Sequence, residues 1–166
     1  MKKLIMINGT MGVGKSTVCN ILLNTLEDSV YLDGDWCWNM NPFVVSEENK
    51  KMVIDNISYL LRSYLKNSGY KYIIFCWVMQ EEAIFKQILD KLNGFDFEIH
   101  KVSLVCNEKA LRSRLNIDVQ NGIRKADVID RSIERISFYE KMNTLKIDVS
   151  NITQKDTAKK ICAMVQ

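Results

Sequence analysis

The chain has 166 residues, 47% of them hydrophobic, and a formal net charge of +3. The net charge is small and the Lys and Arg residues are scattered along the chain, which argues against a nucleic-acid partner. No apolar run approaches the ~20 residues of a membrane span. The five cysteines form no C-x-x-C pair and mostly lie within apolar runs. We therefore expect a reduced, cytoplasmic protein that folds as one globular domain over residues 1–166.

The chain begins with a predicted strand, a glycine-rich loop and a predicted helix. Residues 3–7 are an apolar run of buried-strand type, and apolar residues recur at helical spacing from Val18 to Leu26. Between them, residues 9–16 read GTMGVGKS and match the phosphate-binding pattern G-x-x-x-x-G-K-[ST] at every fixed position. Lys15 is placed to reach the β- and γ-phosphates of a nucleotide, and Ser16 to bind Mg²⁺. The residues expected to hold the nucleotide are Gly9, Thr10, Met11, Gly12, Val13, Gly14, Lys15, Ser16 and Thr17.

A second predicted strand, residues 30–32, ends at the acidic turn Asp33-Gly34-Asp35. Open α/β sheets bind ligands at the carboxyl ends of their strands, so these two carboxylates can serve a phosphoryl-transfer site. One can face the metal side of the nucleotide and the other the acceptor hydroxyl; the alternative is an ordinary surface turn. An aromatic-rich segment follows at residues 36–43, and Ser46 is predicted to cap a long amphipathic helix that ends near residue 67.

The second half of the chain continues the alternation of strands and helices. Residues 70–78 form the most apolar run and predict a central strand, followed by a helix over residues 80–92 and a strand over 97–106. Asn107 is predicted to cap a helix through Leu115, residues 116–125 to form a polar loop, and Asp127 to cap the next helix. A short strand at 145–148 and a helix at 154–165 complete the chain. This alternation predicts a parallel α/β sheet with helices on both faces.

Several arginines surround the predicted polar loop. They lie on the preceding helix, in the loop itself and on the next helix, as a flap closing over phosphates would require: Arg112, Arg114, Arg124, Arg131 and Arg135. The planar guanidinium binds phosphate oxygens bidentately and offsets the charge of a transferring phosphoryl group. The alternative is that Arg131 and Arg135 are solvated residues that pair with Asp127 or Glu134 at helical spacing.

Together these motifs resemble the small-molecule and nucleotide kinases of the P-loop class, which include the adenylate, shikimate, gluconate and adenylylsulfate kinases. The resemblance implies a three-layer P-loop NTPase fold, with a five-stranded parallel sheet in the order 2-3-1-4-5 and a short lid at about residues 116–127. By the pattern of these kinases, Asp33 would lie on the Mg²⁺ side and Asp35 would be the catalytic residue facing the acceptor. Arg124 and Arg135 would contact the transferred phosphate beside Lys15, and Arg114 would stack on adenine, with residues 149–151 closing the other side of the base.

One departure from these kinases concerns the metal. The third strand ends Phe75-Cys76-Trp77 without an acidic residue, so a conventional Walker B carboxylate is missing and Asp33 is expected to replace it. The segment from Trp36 to Met40 matches no acceptor motif of the named kinases, which leaves the acceptor open.

The expected function is ATP- and Mg²⁺-dependent transfer of the γ-phosphoryl group to a hydroxyl of a small molecule, by a monomer or homodimer. A nucleoside or nucleotide kinase is the close alternative, because aromatic residues can stack on a base or line an apolar pocket; the other interpretation is that they belong to the core. These residues are Trp36, Trp38, Phe43 and Trp77. A nucleotide-binding regulatory switch without metabolic turnover is the alternative of another class. Residues 145–148 read LKID, near the guanine motif [NT]-K-x-D, but no D-x-x-G element accompanies them.

Overall fold

The computed structural model describes residues 1–166, and its centre is a sheet of five parallel strands. In chain order they are β1 (Lys2–Asn8), β2 (Ser29–Asp33), β3 (Tyr72–Cys76), β4 (Phe97–Val105) and β5 (Leu145–Asp148). Their spatial order is β2-β3-β1-β4-β5, and every neighbouring pair is parallel. The three-layer fold and the strand order expected from the resemblance are therefore confirmed.

Seven α-helices and one 3₁₀ helix connect the strands. The α-helices are α1 (Lys15–Thr25), α2 (Glu47–Lys66), α3 (Glu82–Asp90), α4 (Glu108–Gln120), α5 (Val128–Glu134), α6 (Ile136–Lys141) and α7 (Gln154–Val165). The 3₁₀ helix, Gly34–Trp38, follows β2 directly. Ser46 caps α2 as predicted, because its side chain accepts a hydrogen bond from the Asn49 amide at 3.1 Å.

The core is divided between the two faces of the sheet because side chains alternate along each strand. In β1, Ile5 and Ile7 pack with α1, α4 and α7, whereas Leu4 and Met6 pack with α2 and α3. All five residues of β3 are buried, as expected of a central strand covered on both faces. No helix of this chain is both long and apolar enough to cross a lipid bilayer.

The predicted start of the polar loop at Asn116 is wrong, because α4 continues to Gln120. The helix ends in a Schellman motif, in which the Gly122 amide donates to the Val119 carbonyl and the Ile123 amide to the Asp118 carbonyl. The irregular part of the lid segment is therefore residues 121–127. The predicted cap by Asp127 is also wrong: α5 begins after this residue, but the Asp127 side chain makes no capping hydrogen bond.

Candidate active site

The phosphate-binding loop lies between β1 and α1 at the carboxyl edge of the sheet. Gly12 has a φ of +82°, and a Cβ atom there would lie 2.4 Å from a methyl carbon of Leu115, so both conformation and space require glycine. The first turn of α1 contains no acidic residue and receives no side-chain cap. Its amide groups and the positive end of the helix dipole are thus available to an anion, as phosphate binding requires.

Lys15 is held inside this loop. Its ammonium group donates hydrogen bonds to the carbonyl oxygens of Gly9 at 2.8 Å and Thr10 at 3.1 Å. Burial lowers the pKa of Lys15, and the nearby Cys76, Asp35 and Asp33 oppose that effect. The lysine expected to contact the phosphates therefore shares one electrostatic environment with both carboxylates of the acidic turn.

Asp33 lies at the end of β2 with only 8% of its surface exposed, and its carboxylate receives four hydrogen-bond donors. Oδ2 accepts from the hydroxyls of Ser16 at 2.8 Å and Tyr31 at 2.9 Å, and Oδ1 accepts from the Asp35 amide at 3.1 Å. The fourth donor is the Cys76 thiol, 3.5 Å from Oδ2. Ser16 and Asp33, the two predicted metal ligands, are thereby brought together from separate elements.

The sequence-based predictions missed Tyr31 and Cys76 as members of this site. Cys76 ends β3 directly beside Asp33 in the register of the sheet, at the place where a Walker B carboxylate was expected. Burial raises the pKa of Tyr31 far above its usual value, so its hydroxyl stays protonated and donates to Asp33. The two-residue repeat of side-chain direction in a strand is the sequence signal that could have identified Tyr31, since Tyr31 and Asp33 lie on the same face of β2.

Asp35 projects from the 3₁₀ helix one residue beyond Gly34. The residue as a whole is exposed to solvent. Protein nevertheless surrounds the carboxyl group, and the resulting loss of hydration raises the pKa of Asp35; the negative charge of Asp33 is the second cause. The Lys15 charge, the Trp77 indole and the Arg124 charge lower the pKa and partly offset these effects. A carboxylate of raised pKa at this position has the properties of a proton acceptor.

Gly34 lets the acidic turn approach the end of β3. A Cβ atom at this position would lie 2.4 Å from Cγ of Trp77, so any side chain would displace the indole. The glycine thus allows Trp77 to pack beneath the turn that carries Asp33 and Asp35.

Two of the three arginines predicted to act in the site, Arg124 and Arg114, contact the phosphate-binding loop. Arg124 is bonded to Asp118 at 3.0 Å, and its guanidinium lies 3.8 Å from the sulfur of Met11 in that loop. Arg114 donates to the carbonyl oxygens of Val13 and Val149, which links the loop to residues 149–151. Arg135 lies between α5 and α6, where its charge lowers the pKa of Tyr139 against the effect of burial.

Two other arginines of this region have ordinary ion-pair partners. Arg112 pairs with Glu108 at 3.0 Å and with Asp130 at 3.5 Å, and Arg131 pairs with Asp127 at 3.7 Å. For Arg131 this is the solvated alternative described above. Arg135 forms no such pair with Glu134, which leaves its guanidinium available to a ligand.

An open cavity of about 480 Å³ lies at the opposite, amino edge of the sheet and contains none of these residues. It is lined by residues such as Lys2, Leu65, Tyr70 and Phe95. Ligands of parallel α/β sheets bind at the carboxyl ends of the strands. We therefore assign the candidate active site to the carboxyl edge, where the predicted side chains converge, and not to this cavity.

Known structures share this architecture over nearly the whole chain. A tunicamycin resistance protein from Deinococcus radiodurans superimposes with a TM-score of 0.72 at 19% identity, covering 99% of this chain and 96% of that one. A gluconokinase from Sinorhizobium meliloti gives 0.71 at 13% identity, covering 98% and 91%. The APS kinase of Mycobacterium tuberculosis, in complex with AMPPNP and APS, gives 0.69 at 13% identity, covering 99% and 97%.

At these identities the structural likeness shows the fold. No curated protein sequence matches the chain. The family model described as AAA domain matches residues 5–136, a range that includes the phosphate-binding loop, the acidic turn and Arg124. The chain therefore belongs to the AAA domain family of P-loop NTPases.

Proposed function

We propose that this protein is a P-loop small-molecule kinase that transfers the γ-phosphoryl group of ATP to a hydroxyl of an acceptor. The observation that carries the proposal is the convergence of Lys15, the bonded pair Ser16–Asp33 and the carboxyl group of Asp35 at one edge of the sheet. A nucleotide-binding protein without turnover has no need of a carboxylate of raised pKa beside its phosphate-binding lysine.

The residues present fit Mg²⁺ and a nucleoside triphosphate. The Ser16 hydroxyl and the Asp33 carboxylate offer two hard oxygen ligands 2.8 Å apart, and Mg²⁺ takes its remaining ligands from phosphates and water. Mg²⁺ supplies charge neutralisation on the phosphates when it is bound. The uncapped first turn of α1 and the Lys15 ammonium would provide donors for phosphate oxygens. Arg114, which donates to the carbonyl oxygens of Val13 and Val149, would stack on the adenine.

In the proposed reaction, Asp35 orients the acceptor hydroxyl and accepts its proton. The hydroxyl oxygen forms a bond to the γ-phosphorus, and the bond from that phosphorus to the β–γ bridging oxygen breaks, leaving its electron pair on ADP. Lys15, Arg124 and Arg135 offset the negative charge on the transferring group and on the leaving phosphate. The protein forms no covalent bond to the transferring group in this scheme, because positioning and charge stabilisation account for most of the catalysis in this reaction class.

A nucleoside or nucleotide kinase is a second candidate, favoured by one observation. Trp36, the residue after the proposed base, is 59% exposed and presents an aromatic surface on which a base can stack. The proposed enzyme is cytoplasmic, consistent with five free thiols, and acts as a monomer or homodimer on a small molecule without nucleic acid or membrane partners.

The proposal is tested by comparing Lys15→Ala with a matched control, Lys159→Ala, whose side chain is 80% exposed. ATP with Mg²⁺ should raise the melting temperature of the wild type and the control but not of Lys15→Ala, because a ligand held only by the folded state stabilises it. A panel of sugars, nucleosides, cyclitols and hydroxylated antibiotics should then yield an acceptor-dependent release of ADP that Lys15→Ala lacks.

Stabilisation by GTP alone, with no ADP or GDP released by any acceptor, would instead favour the regulatory switch. Equal turnover by Lys15→Ala and wild type would contradict the assignment of the phosphate-binding loop.

A further inference from the structure

An exposed apolar surface adjoins the proposed catalytic base, and nothing in the reaction described above uses it. We define the acceptor surface as Trp36, Trp38, Phe43, Val44 and Val45. Phe43 is 66% exposed, Trp36 and Val45 are each 59% exposed, and Val44 is 45% exposed. Trp38 is half-buried against the core cluster of α2 and β3. Large apolar side chains that stay exposed this close together in the chain indicate a binding site rather than core.

Ring contacts hold the aromatic members of this surface in place. The Trp36 ring packs edge-on against Tyr31, with 5.3 Å between the ring centroids, and Tyr31 in turn donates to Asp33. Trp38 and Phe43 form a tilted pair at 5.6 Å. The rings are therefore ordered before any ligand binds, which reduces the entropy lost on binding.

The charge of this segment excludes one class of acceptor. Residues 29–49 include Asp33, Asp35, Glu47 and Glu48 but no Lys or Arg. The next cation along the chain, Lys50, is paired with Glu47 at 2.7 Å. Carboxylates and phosphates are usually recognised by Arg or Lys, and here an anionic acceptor would meet only carboxylates of the same sign.

Cations from other elements do not change this balance. Lys15 is committed to the phosphate-binding loop, and Arg124 is bonded to Asp118 beside Met11 of the same loop. Arg135 is the third cation of the proposed reaction, which assigns it to the transferred phosphate. The cations of the proposed reaction are thus assigned to ATP and the transferring group, and none of them is assigned to a second anionic group on the acceptor.

We propose that the acceptor is an alcohol without negative charge, whose apolar face lies on the acceptor surface while its hydroxyl reaches Asp35. This inference rests on the proposed kinase function and narrows it: nucleosides and apolar glycosides remain acceptors, whereas nucleoside monophosphates and sugar acids do not. The proposed base and the acceptor surface are adjacent in the chain, since Asp35 is the base and Trp36 is the first residue of the surface.

Matched probes that differ only in charge or in the aromatic ring test the proposal. Phenyl β-D-glucoside is neutral, phenyl β-D-glucuronide adds a carboxylate, and methyl β-D-glucoside lacks the ring; adenosine and AMP form a second pair. Calorimetric titration of the full chain should give at least tenfold weaker binding for each anionic member and for the methyl glucoside. Equal or tighter binding of the anionic members, or no binding by any probe, overturns the proposal.

Variants assign the binding to the surface. Trp36→Ala should weaken phenyl glucoside binding at least fivefold and leave methyl glucoside unchanged, whereas Tyr59→Ala, which removes a 63% exposed ring of α2, should change neither. Loss of a homodimer in Trp36→Ala, with unchanged probe binding, would assign the surface to a second copy of the chain and overturn the proposal.

A ligand-free measurement checks the charge argument. The three tryptophans of the chain all lie on this surface or beneath the acidic turn, so their fluorescence reports on it. At equal ionic strength, and with each quenching constant divided by that for free N-acetyltryptophanamide, the ratio for caesium should exceed the ratio for iodide, and the reverse order contradicts the inference. Selective binding of neutral probes without any ADP release would retain the inference about the surface while contradicting the proposed kinase function.

Discussion

The hydroxyl of Ser16 donates a hydrogen bond of 2.8 Å to Oδ2 of Asp33, joining the first turn of α1 to the end of β2. A phosphate-binding loop alone places one oxygen ligand for a metal, and this contact places a second beside it without an acidic residue on β3. In the proposed kinase, the acidic turn would therefore take the place of the missing Walker B carboxylate. We expect the Mg²⁺ dependence of the proposed enzyme to be set by Asp33.

Asp33→Asn should raise the Mg²⁺ concentration needed for half-maximal activity at least tenfold, because the variant keeps the size of the side chain but loses its charge. Activity measured against Mg²⁺ at saturating ATP gives this value. Asp130→Asn, whose side chain is 81% exposed, is the control and should match the wild type. An unchanged Mg²⁺ requirement in Asp33→Asn would remove this residue from the metal site.

Tyr31→Phe tests whether the hydrogen bonds to Asp33 position it for the metal. A hydrogen bond to a charged group contributes about 1.5–3 kcal/mol, and each ~1.4 kcal/mol corresponds to a factor of ten, so the Mg²⁺ requirement should rise by about 10–100-fold. Cys76→Val should have a smaller effect in the same direction, since the thiol is a weaker donor at 3.5 Å. Tyr59→Phe on exposed α2 is the matched control; a loss of stability in Tyr31→Phe without any change in Mg²⁺ dependence would indicate a purely structural role.

Asp35→Asn should lower kcat by about 10²–10⁴-fold, the usual effect of losing a general base, while the KM for ATP stays unchanged. The wild-type pKa of Asp35 is raised above its ordinary 3.8, so activity should fall as pH decreases through a value above 3.8. Substituting Asn should abolish that acidic limb of the kcat/KM profile. Full activity of the variant on an identified acceptor would show that the base lies elsewhere.

The same raised pKa has an effect on stability, with a defined sign. A carboxyl group whose pKa is higher in the folded than in the unfolded state destabilises the fold once it is ionised in both. Asp35→Asn should therefore melt at a higher temperature than the wild type at pH 7, and the difference should vanish below pH 3.8, where both states are protonated. Thermal melts at the two pH values measure this, and a lower melting temperature of the variant at pH 7 would contradict it.

Arg124→Ala and Arg135→Ala should each lower kcat by about 10²–10³-fold and change the KM for ATP much less, because their contacts strengthen as charge develops on the transferring group. Arg112→Ala is the control, since Arg112 pairs with Glu108 and Asp130 on the surface. Initial rates over a range of ATP concentrations separate the two parameters. A loss confined to KM would limit Arg124 and Arg135 to binding the ground state.

The amino-acid sequence by itself determined the parts of this protein that depend on neighbours in the chain. The pattern around Lys15 identifies the phosphate-binding loop, because its chemistry needs residues at fixed short spacings. Periodicity identifies all five strands and the long helices, and Ser46 marks the start of α2, because burial and capping are local signals. The polar residues after Leu115 led to a predicted end of α4 that is too early. An exposed helical turn needs no apolar residue, and the helix ends instead at the hydrogen bonds around Gly122.

Only the tertiary structure decided which distant residues meet. Cys76 joins the site because β3 pairs in register with β2, and Tyr31 joins because it lies on the same face as Asp33. Arg124 approaches Met11 because the segment after α4 returns to the phosphate-binding loop. These contacts join residues that lie far apart in the chain. They depend on the register of the strands and on how the helices pack against the two faces of the sheet, and no spacing in the sequence encodes either.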